Sequence, residues 1–255
     1  TNGMYDVYSV LSVDKPVTVM GINGAMSTIV RAMPDTGYNN QVLSLNHVQA
    51  VVDGFLLTGS SLDYSYAGAV QLINGTLRRC TVSENDIGGG SGVRMLNGLI
   101  ADCTITANNA YWGNNGKGGG VNMSGGTVSN CVIAGNYATT RGSGIFMTAG
   151  KVIRCVITNN TCAADIAGGG SVAMDGGQVL NSLIALNRMT SASGGRSAGA
   201  WLSAGSIVNC TVVGNTASGG VGGVYMTGGS MTNCVVYYNS RLGSRANVLG
   251  TVTNY

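Results

Sequence analysis

Catalysis needs ionisable side chains gathered in one place, and this 255-residue chain has few: ten acidic residues, thirteen basic ones and one histidine. Cleaving a polysaccharide requires clustered carboxylates, often holding Ca²⁺, with an Arg or Lys base, or a carboxylate pair for hydrolysis. Here Asp53, Asp102, Asp165 and Asp175 are scattered along the sequence. Glu84 and Asp86 could meet Asp63 from a neighbouring repeat and hold a cation, but they read more simply as solvated loop charges. A Ser-His-Asp triad or a multi-histidine metal site would rest on His47 alone, which reads as a polar or capping residue. "GGGSG" (88–92) and "GNNGKGGG" (113–120) lack the Lys-Ser/Thr and the helix that a phosphate-cradling loop needs. No catalytic, metal or cofactor site is therefore expected, and the chain reads as a non-enzyme.

The seven cysteines never form CxxC, so neither a zinc nor a dithiol motif is present. Six of them instead mark a repeat, aligned at Phe55, Cys80, Cys103, Cys131, Cys155, Ser182, Cys210, Cys234 and Tyr255. Eight positions before the seven aligned residues from Cys80 to Cys234 comes a large apolar residue, as at Met95, Met123, Met147 and Met174, with a smaller one two earlier, as at Val93, Val121, Ile145 and Val172. A spacing of two puts both on one face of a strand. The cysteines are expected as small buried rungs of a thiol ladder, mostly reduced because stacked Cβ vectors suit a disulfide poorly. Cys162 lies outside this series and is expected in a loop, as a reactive or intermolecular thiol.

Five positions before the cysteine column stands glycine, from Gly75 to Gly250, which predicts a tight corner. A second corner is expected just before the cysteine, where Asn130, Asn181, Asn209 and Asn233 suit left-handed geometry. Five positions after the column comes another asparagine, from Asn85 to Asn239, placed along an edge, and then a Gly/Ser/Ala-rich loop of variable length. Three short strands, two corners and one loop make one turn of a solenoid. Glycine makes up 42 residues, and the strands are β-branched, which argues against a leucine-rich repeat.

The fold expected is all-β, a right-handed parallel β-helix of about nine coils of 21–28 residues. One domain spans 1–255, with residues 1–60 as irregular coils or a cap, and 61–255 as regular coils. "GTVTNY" (250–255) repeats "GSMTNC" (229–234), so the last coil reads as incomplete.

"GGGV" (118–121), "GSGI" (142–145) and "VGGV" (221–224), alternating with "IAGN" (133–136) and "VVGN" (212–215), resemble the GGA[IV] and FxxN repeats of polymorphic outer-membrane proteins. More broadly they resemble bacterial secreted proteins built from right-handed parallel β-helix repeats, from about Val17 onward. The resemblance implies a secreted or cell-surface protein, an adhesin or passenger module, with polysaccharide lyases and phage tailspikes among related folds.

Two surfaces are expected to interact. Phe146, Trp201 and Tyr225 share one outward column, and Tyr111 and Trp112 lie in a long loop; such aromatics stack sugars or meet a partner. Val252, Asn254 and Tyr255 lie at the incomplete last coil and would dock end to end with another copy. The reading is a structural or adhesive extracellular module that self-associates into a filament or binds a surface glycan or protein ligand. The alternative is a β-helix protein that binds or cleaves polysaccharide. Thinly spread basic residues argue against nucleic acid as a partner, and no apolar run reaches the length of a transmembrane segment.

Overall fold

The structure, a computed structural model, describes residues 2–33, 41–62, 67–88, 90–111, 116–163, 168–192 and 197–250. It is a parallel β-solenoid of about eight turns, close to the nine expected; the ninth aligned position, Tyr255, lies outside the described residues. Among the described residues the coils build three sheets of ten, nine and fifteen strands, the nine-stranded one beginning at Ser61–Leu62. A regular coil, such as the one around Cys103, contributes Ser91–Met95 and Leu99–Ala101 to the fifteen-stranded sheet. It then gives Thr104–Thr106 to the ten-stranded sheet and Asn109–Ala110 to the nine-stranded one. In such a coil the glycine corner splits one sheet's strand in two, giving four segments, whereas Gly68–Arg78, Val172–Leu180 and Ala200–Val208 run through that corner as single strands and keep three per coil.

Stacking is in register, so like residues meet like residues. Met95, Met123, Met147 and Met174 form one continuous ladder, and Ile105, Ile133 and Ile157 another. All seven are fully buried. Each such side chain contributes roughly 1.5–3 kcal/mol of transfer free energy, which no single coil could recover alone.

Corners are set by backbone conformation. Gly126, at φ +75°, would place a Cβ 2.7 Å from the Gly98 carbonyl oxygen of the preceding coil, so both conformation and space demand glycine. The corner before the cysteine is left-handed as expected, at Asn130 (φ +54°), Asn181 (+50°), Asn209 (+54°) and Asn233 (+50°). Arg79, Asp102 and Arg154 adopt it in the other coils. A further left-handed corner lies four residues after the column, at Glu84, Ala107, Asn159, Leu186 and Tyr238.

One expectation about placement is corrected. The asparagines from Asn85 to Asn239 do not line an edge: they are buried, because the left-handed residue before each turns the side chain inward. The N-terminal stretch stacks on the rest through the ten-stranded sheet. Gly3–Val7 pairs with Thr28–Ala32, which pairs in turn with Leu56–Thr58, so Gly3 and Thr28 extend the column of Phe55. Among the described residues, however, this stretch gives the nine-stranded sheet no strand before Ser61–Leu62, and within Leu43–Asp53 the register slips between Asn46 and Val51. His47 sits in that bulge and accepts the Gln49 N–H at Nδ1 (3.1 Å), a local turn bond.

Candidate functional site

The aromatic column is in register as expected, Phe146 beside Ala173, Trp201 and Tyr225 on successive coils. It is not open, however. Phe146 and Trp201 are only 7% and 6% exposed and form a small second core with Ala173, with half-buried Tyr225 packed against it. Lys117 lies over the Phe146 ring, its Nζ 5.4 Å from the centroid, and the Arg141 guanidinium lies 5.0 Å from that of Trp201. Arg141 Nη1 also pairs with Asp175 Oδ2 (3.2 Å), whose Oδ1 accepts the Ser203 hydroxyl (2.7 Å). The cations occupy the ring faces that a sugar would use. Tyr111 is half-buried, and Trp112 lies outside the described residues.

The cysteine column is buried as expected, and it has a role that spacing alone did not show. The Cys80 N–H donates to Cys103 Sγ and the Cys103 N–H to Cys131 Sγ, each at 3.4 Å. In turn Cys131 Sγ–H donates to the Ser129 carbonyl at 3.1 Å. Each sulfur thus satisfies a corner N–H that the ladder leaves unpaired. Where serine replaces cysteine, Ser182 Oγ accepts the Cys155 N–H at 3.1 Å. Hydrogen bonding to neighbouring thiols, with burial adding to it, pushes the Cys103, Cys155 and Cys210 thiols up. Cys234, half-buried at the last rung, is lowered to about 6, chiefly by the hydrogen bond from Cys210.

Cys162 is not a loop thiol. It lies in the strand Thr161–Cys162, fully buried, and its Sγ donates to the Thr140 carbonyl at 3.3 Å.

Among the acids, Asp53 is the most specifically held. Its carboxylate is fully buried and accepts Arg78 Nε (2.8 Å), Arg79 Nε (2.7 Å) and Arg79 Nη2. Asp86 is exposed and accepts Asn109 Nδ2 at 2.9 Å, while Asp63 lies outside the described residues. Among the described residues, no three His, Cys, Asp or Glu side chains gather as a metal site would require, and no helix is long and apolar enough to cross a membrane.

The two ends of the stack expose apolar side chains. At the first coil, among the described residues, Gly3–Val7 pairs with Thr28–Ala32, and Leu11–Val13 and Thr18–Met20 both pair with Leu43–Asp53. Met4, Leu11 and Met20 are exposed there, beside a cleft of about 300 Å³ lined by Tyr5, Val7, Leu11, Met20, Val30 and Phe55. At the other end the ten-stranded sheet closes on Val235–Tyr237, with Val235, Tyr237 and Tyr238 exposed. The nine-stranded sheet instead ends in an antiparallel return, Ser240–Arg241 against Ser244–Arg245. Val252, Asn254 and Tyr255 lie outside the described residues.

No protein-family model, curated protein sequence or solved structure matches the chain.

Proposed function

We propose that this chain is a non-enzymatic structural or adhesive β-helix module of an extracellular or cell-surface protein, self-associating head to tail through its end coils. The observation that carries this reading is the first coil. The coils stack in parallel register, and the first coil offers Gly3–Val7 at the end of the ten-stranded sheet and Leu11–Val13 on the fifteen-stranded one, flanked by exposed Met4, Leu11 and Met20. A sheet edge with an apolar border is a template for strand addition. The matching surface is the far edge at Val235–Tyr237, equally apolar. Contact between two different ends is heterologous, so it propagates.

Sedimentation and negative-stain imaging across concentration test it. The expected result is growth of rods in steps of one solenoid length, lost in Leu11→Lys and Met20→Lys, whose side chains are exposed and whose substitution leaves the core intact. Rods unaffected by both substitutions, or no end-to-end species at any concentration, would overturn it.

A further inference from the structure

The ten-stranded sheet has a second face. Between Leu56–Thr58 and Thr211–Val213, seven successive strands each point two side chains outward, flanking one inward residue such as Val82 or Ile105. One outward row runs from Leu56 through Val132 to Thr211, the other from Thr58 through Ala134 to Val213. All fourteen residues are Thr, Ser, Val, Leu or Ala, and none carries a charge. Apart from Ser83 and Ala185 they are half-exposed or exposed, Val132 being 40% exposed.

We infer that this face pairs with the same face of a second copy, the two solenoids lying side by side and antiparallel. The commitment to a second copy rests on charge. A charge-free face meets its own copy without like-charge repulsion, and its border is self-complementary. Along the left-handed corner before the cysteine column, Asp102, Asn130 and Arg154 occupy three consecutive coils, all exposed. The middle coil is that of Val132, the fourth of the seven. A twofold axis along the strand at Val132 reverses the coil order while keeping the corner on the same side. Asp102 of each copy then faces Arg154 of the other, twice. The same rotation sets Arg79 against Asn181 and Glu84 against Leu186, so no like charges meet. A parallel arrangement would leave Asp102 opposite Ala107 and Arg154 opposite Asn159, and would set Arg79, already held by Asp53, against Glu84.

Size agrees. Seven coils at about 4.8 Å and five residues at about 3.3 Å give a footprint of about 34 by 17 Å, or about 1,100 Å² over both copies. That just clears the roughly 1,000 Å² of a specific interface and describes a reversible dimer. It stops at two copies, whereas end docking grows without limit, and the two use different residues.

Sedimentation equilibrium from low micromolar to near-millimolar protein, in the Leu11→Lys background, reads the dimer separately from end-to-end growth. Asp102→Arg and Arg154→Asp should each weaken association about tenfold, by turning two attractions into repulsions, and the double swap should restore it. Folding is not at stake, because this corner already holds both Arg and Asp. Val132→Glu should leave a monomer. A wild-type chain that stays monomeric throughout, single reversals without effect, or a double swap that fails to recover would each overturn the assignment. So would a soluble neutral glucan occupying the face while no dimer forms.

Discussion

The backbone N–H of Asn136 donates to Oδ1 of Asn160, one coil further along, at 3.0 Å. The same oxygen accepts Asn136 Nδ2 at 3.0 Å, and Asn160 Nδ2 reaches back to the Ile133 carbonyl at 2.9 Å. This unit repeats from Asn85 to Asn239, so the corner of each coil is closed by the side chain of the next. Asn160→Ala would leave the Asn136 N–H buried and unpaired, while the Ile133 carbonyl keeps its ladder partner on the next strand. A loss of about 1–3 kcal/mol is expected from the one orphaned donor. The control is the neighbour, Asn159→Ala: Asn159 is exposed at φ +54°, and Ala107 already occupies its column at +53°, so the cost should stay near 1 kcal/mol. Urea denaturation midpoints of the two variants decide; equal losses would show that the ladder is dispensable.

Asp53 gives the stack an acid-sensitive point. Hydrogen bonding from Arg79, then from Arg78, holds its carboxyl below the usual carboxylate range against the opposing effect of burial. Folding thus favours the ionised form. Its contribution is complete above the unfolded value of about 4 and is lost as pH falls through the lower folded value. Asp53→Asn should cost about 1–3 kcal/mol at neutral pH, the scale of hydrogen bonds to a charged group. Below about pH 4 the gap between variant and wild type should narrow. Thermal melts from pH 2 to 7 check this, and a gap constant with pH would assign Asp53 a role in shape rather than charge.

The solenoid was legible in the sequence because the cysteine column, the glycine five before it and the Val/Met pair each sit at fixed offsets, and stacking makes fixed offsets physical. Signals failed where a position is defined by backbone rather than side chain. Ala107, Leu186 and Tyr238 adopt left-handed conformations that their identities do not announce. The first coils were hidden because Gly3 and Thr28 take the place of cysteine. Cys162 was misplaced although a signal existed: Ile87, Ala110, Ala138, Cys162, Met189 and Ala217 all fall seven residues after the column and all are buried. Burial of Phe146 and Trp201 depends on where Lys117 and Arg141 reach from variable loops, which no offset encodes.

The thiol column yields the last prediction. Each sulfur acts as an acceptor for a corner N–H, and Ser182 does the same with oxygen, accepting the Cys155 N–H and donating to the Leu180 carbonyl at 2.8 Å. Cys131→Ser should therefore cost little, whereas Cys131→Ala strands the Cys103 N–H and should cost about 1–3 kcal/mol. Reactivity should divide the column differently. Thiolates are the nucleophiles, and Cys234 combines partial exposure with a thiol lowered to about 6; Cys80 and Cys131, the latter lowered to about 4, are shielded by burial, and Cys103, Cys155 and Cys210 are both buried and pushed up. Iodoacetamide at neutral pH should label Cys234 alone in the folded chain, at a rate rising through about pH 6, and reach Cys162 and the buried rungs only after unfolding. Peptide mass spectrometry reads the sites. Native labelling of Cys162 or of several rungs would mean that the stack opens between coils, and would remove the thiol column from the set of groups that hold it closed.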